Sequence, residues 1–200
     1  MSAGSYLANA GEYLITLIFQ LYILAVMMRF LLQLVRADFY NPLSQLLITI
    51  TNPVLRYLRR WIPGYAGIDW PSLLLMFVLQ AVELSLIALL EPVAFPAISG
   101  LFLLTLTYLL KMVIWIYIFV ILLQAIISWI NPGAYSPVTI LMYQLTEPVL
   151  RPCRRIIRPA GGMDFSPLVV LIILQLLLML LIAPMQDLGN ILAGYSIRIL

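Results

Sequence analysis

Glu83 is the residue of this sequence whose type and position most clearly suggest a chemical role, because it lies well inside a long apolar stretch. It is the only acidic residue so placed. The chain has no His, and its single Cys, Cys153, lies on the apolar side of a helical pattern with no evident base partner. Proteolysis inside a membrane needs a serine with a histidine, two acids or a zinc motif. Metal-ligand spacings and phosphate-binding loops are missing as well, so the sequence predicts a non-enzymatic protein without cofactor or metal.

Other polar residues lie in the same long apolar stretches. Polar side chains inside a bilayer are costly, and they usually face other helices or water. Those at similar depth form a predicted intramembrane polar layer of Arg29, Gln80, Glu83, Gln124 and Gln175, with Gln20, Gln33, Lys111 and Ser128 as further polar positions. The layer either joins helices by hydrogen bonds or lines a hydrated ion path. We expect Glu83 to pair with Arg29, and Lys111 is the competing partner.

The composition of the whole chain indicates that helices in a membrane carry these residues. Of 200 residues, 64% are hydrophobic and 10% are charged, whereas soluble domains have about 45–50% and about 25%. Four stretches, residues 13–35, 72–90, 101–130 and 167–184, are long and apolar enough to cross a bilayer as helices. None alternates polar and apolar residues as a barrel strand does. The sequence therefore predicts an all-α membrane protein with four transmembrane helices.

Basic residues are concentrated in the segments that follow the first and third predicted spans. These residues are Arg36, Arg56, Arg59 and Arg60 in the first segment, and Arg151, Arg154, Arg155 and Arg158 in the second. The start of the chain and the loop before the third span hold no Lys or Arg. By the positive-inside rule, the basic segments face the cytoplasm and both termini lie outside it. Nucleic acid is not expected as a partner, because the net charge is only +3 and no broad basic surface is evident.

The sequence is a tandem duplication with a shift of 95 residues. Residues 51–60, TNPVLRYLRR, lie over residues 146–155, TEPVLRPCRR, and the same register pairs Gly67 with Gly162. Residues 1–95 form the first repeat and residues 96–200 the second, each with two spans and one basic segment. Because two spans per repeat place both repeats the same way up, we expect a parallel repeat around a pseudo-twofold axis along the membrane normal.

Each repeat also contains an amphipathic interfacial segment, residues 42–62 in the first repeat and 137–158 in the second. At about 100° per residue, the apolar side chains fall on one side and the Arg side chains on the other. A helix of this kind lies flat among lipid headgroups. We expect each segment to consist of two short helices that meet at Pro53 or Pro148.

The Arg side chains of these segments are the predicted contact surface for anionic lipid headgroups or a protein partner. They are Arg56, Arg59, Arg60, Arg151, Arg154, Arg155 and Arg158. Each cationic residue near an anionic membrane surface gains about 1 kcal/mol. The alternative is that the Arg side chains are merely solvated and only set the orientation of the chain in the membrane.

A glycine-bearing turn with an acid precedes the second span of each repeat. The two turns read Gly67-Ile-Asp69 and Gly162-Met-Asp164. An Asp just before a helix accepts hydrogen bonds from the first free N–H groups, so Asp69 and Asp164 are predicted helix caps. An ion pair with the nearby Arg cluster is the competing role, and the two roles can coexist.

These motifs together resemble the YggT family of small bacterial inner-membrane proteins. The resemblance rests on Asp38-Phe-Tyr-Asn-Pro, on the paired Pro-Val-Leu-Arg-x-x-Arg-Arg segments and on the two turns with Asp, and it covers nearly the whole chain. It implies a multi-pass protein of the bacterial inner membrane without catalytic residues. It also implies a role in osmotic or ion stress tolerance or, as in other branches, in organising division-site or membrane complexes. A homo-oligomer or a membrane-protein partner is compatible with either role.

Overall fold

The computed structural model describes residues 3–65, 67–90, 95–130, 136–156 and 164–194. Its helices are α1 (Ala3–Leu34), α2 (Pro42–Trp61), α3 (Trp70–Leu90), α4 (Ile98–Ile130), α5 (Pro137–Ile156), α6 (Ser166–Leu177) and α7 (Ala183–Ala193). A π-helical turn, Leu178–Ile182, joins α6 to α7, and we call these three elements together the last span. The described residues form no strand, so the predicted all-α fold is confirmed.

Among the described residues, four helical stretches are long and apolar enough to cross a membrane, as the sequence predicts. They cover Asn9–Leu34, Trp70–Leu90, Ile98–Ser128 and Ser166–Ala193. The last span continues well beyond residue 184, where we expected it to end. Pro184 has no N–H to donate to the preceding turn, and the π-helical turn lies just before it. Helical structure then runs on to Gly194, whose φ of 83° ends the helix.

The two amphipathic segments are α2 and α5, and each is a single helix of 20 residues. Our expectation of two short helices per segment is therefore wrong. Each proline removes one backbone hydrogen bond, but the helix is held against the rest of the protein beyond that point. Leu55 and Leu150, two residues after Pro53 and Pro148, are almost completely buried. Arg158 and the predicted end of the second segment lie outside the described residues.

Helix α4 lies at the centre of the packing. It contacts α3 on one side and the last span on the other, while α1 packs against α3. The larger apolar cluster joins α1, α2, α3, α4 and α5, and a second cluster joins α4, α5 and the last span. The turns before α2 and α3 are joined by hydrogen bonds or ion pairs to α5 and α2, so these elements lie on one side of the molecule, which we call the basic side.

The repeats follow one another in a row and are not related by a twofold axis. A twofold axis would pack the last span on α1 in the way that α3 packs on α4. The last span packs on α4 instead. The rings of Phe77 in α3 and Phe102 in α4 lie 5.2 Å apart, but the equivalent side chains, Ile172 and Leu7, are both exposed. The predicted pseudo-twofold axis is therefore wrong, although α2 and α5 begin and end 95 residues apart as the duplication requires.

Candidate functional site

Glu83 lies in α3 and is completely buried together with Gln80, one turn earlier in the same helix. The Gln20 side chain of α1 donates from Nε2 to both carboxylate oxygens of Glu83, at 2.9 Å each. Gln80 donates from Nε2 to Oε2 of Glu83 at 3.0 Å, and its own Oε1 accepts from Gln20 at 3.3 Å. We call these three side chains the glutamate cluster. They tie α1 to α3 through hydrogen bonds within the membrane-spanning part of the protein.

The expected ion pair between Glu83 and Arg29 is wrong. Arg29 donates from Nη1 to Oγ1 of Thr51 at 2.6 Å and to Oδ1 of Asn52 at 3.0 Å, both in α2. Arg29 lies nine residues beyond Gln20, about 13 Å nearer the basic end of α1, so α2 is the closer element. The competing partner, Lys111, has its ammonium 5.8 Å from the centre of the Tyr108 ring.

The bond from Arg29 to Thr51 has a counterpart in the second repeat. There Thr146 donates from Oγ1 to Oε1 of Gln124 at 2.9 Å, and both pairs are 22 residues apart in sequence. Gln124 and Thr146 occupy the repeat positions of Arg29 and Thr51. We call these bonds the threonine ties, because each joins the first span of a repeat to the amphipathic helix that follows it.

A second pair of bonds joins each amphipathic helix to the turn that follows it. Arg59 contacts Asp69 at 2.5 Å, and Arg154 contacts Asp164 at 2.8 Å, so each pair spans ten residues. We call these contacts the arginine ties. Arg154 also contacts Glu147 at 2.8 Å. The ion-pair role that competes with capping is therefore observed in both repeats.

Capping by the two acids differs between the repeats. The Asp69 side chain accepts from Oγ of Ser72 at 2.8 Å, and its main-chain oxygen accepts the first bonds of α3. Asp164 lies one residue before the helix boundary, and its Oδ1 accepts from the N–H of Ser166 at 2.9 Å. Partial burial acts to raise the pKa of Asp164, but hydrogen bonds from Ser166 and the charge of Arg154 outweigh it and lower that pKa below its usual 3.8.

The predicted polar layer divides into separate groups. Gln80 and Glu83 belong to the glutamate cluster, whereas Arg29 and Gln124 belong to the threonine ties. Gln175 is exposed on the surface of the last span. The rise per residue from the cytoplasmic ends of the spans predicts a similar depth for these residues, but hydrogen bonds to different helices separate them into groups.

Sequence reasoning missed two kinds of participant in these groups. Gln20 lies outside the predicted layer, because its repeat equivalent is Trp115 and the duplication gives no signal at this position. Thr51 and Thr146 lie in the amphipathic segments, where the helical pattern singles out only the Arg and apolar side chains. A search for polar pairs at the same spacing in both repeats would have found them, together with Arg29 and Gln124.

Four other Arg residues of the predicted contact surface lie in the described part of the chain and point away from the protein. Arg56, Arg60, Arg151 and Arg155 are exposed, and the Arg60 guanidinium lies 5.9 Å from the centre of the Tyr57 ring. Helix α2 also presents an exposed apolar stripe, which consists of Leu43, Leu46, Ile50, Val54, Tyr57 and Trp61. The helix thus has three sides: one packed on the protein, one apolar and exposed, and one carrying Arg.

The chemistry available to the glutamate cluster follows from its three side chains. A carboxylate and amide oxygens are ligands for hard cations, and a carboxylate also binds a proton. No Lys or Arg side chain of the described residues lies within 4.0 Å of the Glu83 carboxylate. Within the same part of the chain, no three His, Cys, Asp or Glu side chains lie close enough together to hold a metal ion.

Comparison with known proteins places the chain in a family. The chain is 40% identical to an uncharacterised protein of Pseudomonas aeruginosa, over 88% of this chain and 90% of that protein. It is 41% identical to one of Vibrio alginolyticus, over 84% and 90%, and 35% identical to the uncharacterised protein YggT of Escherichia coli K12, over 92% and 95%. No solved structure matches the chain significantly.

The family model named CCB3/YggT matches the chain twice, at residues 8–90 and 103–185. The two matched stretches begin and end 95 residues apart, which confirms the register of the duplication. Together they include the first two spans, both amphipathic helices and most of the other two spans. The chain is a multi-pass membrane protein that belongs to the CCB3/YggT family.

Proposed function

We propose that this protein is a non-enzymatic inner-membrane protein that supports ion homeostasis by passing a proton or a monovalent cation through the glutamate cluster. The observation that carries the proposal is the burial of Glu83 in a membrane span beside two glutamine amides and without a cationic partner among the described residues. Ionisable residues placed in this way commonly mark ion or proton pathways in membrane proteins.

The physical basis is the cost of a bare charge in a low-dielectric surrounding. An isolated carboxylate inside a membrane is strongly disfavoured, so it either takes up a proton or holds a cation. The Gln20 and Gln80 amides both donate to the carboxylate oxygens of Glu83. Rotation of either amide would replace a donor by an oxygen, so the same three side chains can surround a cation. The glutamate cluster is therefore suited to reversible binding of a proton or a cation.

The proposal includes an orientation in a bacterial inner membrane. The exposed Arg side chains of α2 and α5 lie on the basic side, which the positive-inside rule assigns to the cytoplasm. With four spans, both termini then lie outside the cytoplasm. The bacterial sources of the relatives support the assignment to an inner membrane.

Ion flux into liposomes tests the proposal. The protein would be reconstituted into vesicles, and proton, Na⁺ and K⁺ entry would be followed under an imposed membrane potential. Glu83→Gln preserves the shape of the side chain but removes its charge, and we expect its flux to fall to that of empty vesicles. Glu147→Gln is the matched control, because it removes an exposed acid in α5, and it should retain flux. Wild-type flux equal to that of empty vesicles for all three ions would overturn the proposal.

The Arg side chains of α2 and α5 are proposed to hold anionic lipid headgroups. This is supported by the exposure of Arg56 and Arg60 beside the apolar stripe of α2, where Trp61 is 87% exposed. In nanodiscs of mixed lipid, we expect the wild-type protein to retain anionic lipids preferentially, and salt should weaken this preference. Replacing the four exposed Arg residues by Gln should abolish it. Equal retention of neutral and anionic lipid by the wild type would contradict this role.

The alternative function is a scaffold that organises division-site or membrane-complex partners through the same Arg-rich helices. The three-sided form of α2 favours it, because the helix leaves both an apolar and a basic side uncovered. A scaffold would carry no ion, and its association with a membrane partner would be lost in the four-Arg variant but retained in Glu83→Gln. The flux experiment therefore separates the two functions.

A further inference from the structure

In the interface between the two repeats, α3 of the first repeat packs on α4 of the second, and α1 and α2 of the first repeat contact α5 of the second. The rings of Phe77 and Phe102 meet there at 5.2 Å. Ile116 of α4 and Leu141 and Leu145 of α5 are buried in the apolar cluster shared with the first repeat. We call this contact the inter-repeat interface. We call the surface that the first repeat contributes to this interface the rear surface, and the surface that the second repeat contributes the front surface. The two are different surfaces of the repeat.

Because the repeats are equivalent, the front surface also exists on the first repeat, where it is uncovered. Side chains of α1 and α2 occupy there the positions that α4 and α5 bury in the inter-repeat interface. They are exposed in the first repeat although their equivalents are covered in the second. The pairs are Leu21 with Ile116 (59% and 6% exposed), Leu46 with Leu141 (54% and 5%) and Ile50 with Leu145 (45% and 1%).

The rear surface likewise exists on the last span, where it is uncovered. Ile172 and Met179 occupy the positions of Phe77 and Leu84, and both are exposed. Gln175 lies between them on the same side of the helix and is exposed as well. A glutamine on the outer surface of a span is costly against lipid, so this surface is better suited to contact with protein.

We propose that a second copy of this chain covers these surfaces, with the last span of one copy packed on α1 of the next and with α4 and α5 of the first copy packed on α2 of the next. The contact would repeat the inter-repeat interface between separate chains. Both repeats of one chain stand the same way up, so copies joined in this manner lie in one membrane with one orientation. A contact between two different surfaces is heterologous, and it generates rings or open rows. In a membrane, close packing and hydrogen bonding of polar side chains such as Gln175 would stabilise it.

Cysteine cross-linking in native membranes tests this arrangement. Leu7 and Ile172 occupy the repeat positions of Phe102 and Phe77, so they should meet across the contact between copies. Leu7→Cys and Ile172→Cys would be placed on differently tagged copies, both with Cys153→Ser, and treated with a short bifunctional thiol reagent. We expect a cross-linked pair that contains both tags. Neither variant expressed alone should cross-link to itself.

Phe119→Cys provides the matched control in place of Ile172→Cys. Phe119 and its repeat equivalent Leu24 are exposed in both repeats, so this position lies outside the inter-repeat interface. It should yield no cross-link with Leu7→Cys. Cross-linking of Ile172→Cys to itself would indicate a twofold dimer and would overturn the head-to-tail arrangement. Failure of the mixed variants to cross-link, with the wild type monomeric in nanodiscs by native mass spectrometry, would overturn the proposal of a second copy.

Discussion

The two repeats share the bonds that hold their amphipathic helices but differ in the interior of the membrane. Both have a threonine tie and an arginine tie at the same sequence spacing. Only the first repeat has the glutamate cluster, since Trp115 and Leu178 stand at the positions of Gln20 and Glu83 in the second. The bonds that position α2 and α5 are thus common to the architecture. The buried acid is a feature added to one half, and this is why we place the function there.

Substitutions at equivalent or comparable positions of the two repeats should reduce the stability of the protein by different amounts. The free energy of unfolding of the purified protein in mixed detergent micelles would measure each loss.

The largest difference should arise where helices approach each other at the ends opposite the basic side. A Cβ atom on Gly100 in α4 would collide with the backbone of Ala193, whereas one on Gly11 in α1 would meet only a methyl group of Leu90, at 3.6 Å. Gly100→Ala should therefore lower the free energy of unfolding by about 1–3 kcal/mol. Gly11→Ala should leave it unchanged or raise it by up to about 1 kcal/mol. Equal losses in the two variants would show that the close contact of α4 with α7 is not maintained.

The arginine ties should differ in strength because they differ in burial. The Asp69 side chain is 3% exposed and that of Asp164 is 37% exposed. Asp69→Asn should lower the free energy of unfolding by roughly 1.5–3 kcal/mol, as for a buried hydrogen bond to a charged group. Asp164→Asn should cost about 0–1 kcal/mol, as for an exposed ion pair. A larger loss in Asp164→Asn would reverse the proposed ranking of the two ties.

The threonine ties should differ because one involves a cation and the other a neutral amide. Thr51→Val removes one acceptor from buried Arg29, which keeps its bond to Asn52, and should cost about 1–2 kcal/mol. Thr146→Val removes a donor from neutral Gln124 and should cost about 0.5–1 kcal/mol. In a Gln124→Leu background, Thr146→Val should cost less than it does in the wild type, because no amide oxygen is then left unpaired. A loss unchanged by the second substitution would argue against this tie.

The smallest effect should be a pH dependence of stability that Asp164 causes in the second repeat. Because the folded protein lowers the pKa of Asp164 below 3.8, this group stabilises the fold above that value. The contribution is lost as the pH falls through the lowered pKa. Between about pH 5 and pH 3, Asp164→Asn should therefore lose less stability than the wild type, by about 0.2–1 kcal/mol. Thermal unfolding at the two pH values would measure this, and parallel losses would contradict it.

Several features of the protein follow from the sequence because they depend on residues close together in the chain. The four spans follow from apolar runs of sufficient length, and the repeat register follows from the Pro, Arg, Gly and Asp residues that recur after 95 positions. The arginine ties were one of two roles open to Asp69 and Asp164. A ten-residue separation across a helix end and a turn keeps Arg and Asp within reach of each other, so the sequence already contained this option.

Only the tertiary structure decided which helices are neighbours and therefore which polar groups meet. Glu83 binds Gln20 rather than Arg29, and α2 has three sides rather than two. The equivalence of the repeats was visible in the sequence, but their arrangement in a row was not. Apolar periodicity states only that a side of a helix is buried, and lipid and protein satisfy it equally well. Hydrogen bonds form over about 3 Å, so their partners are determined by helix packing that no local pattern specifies.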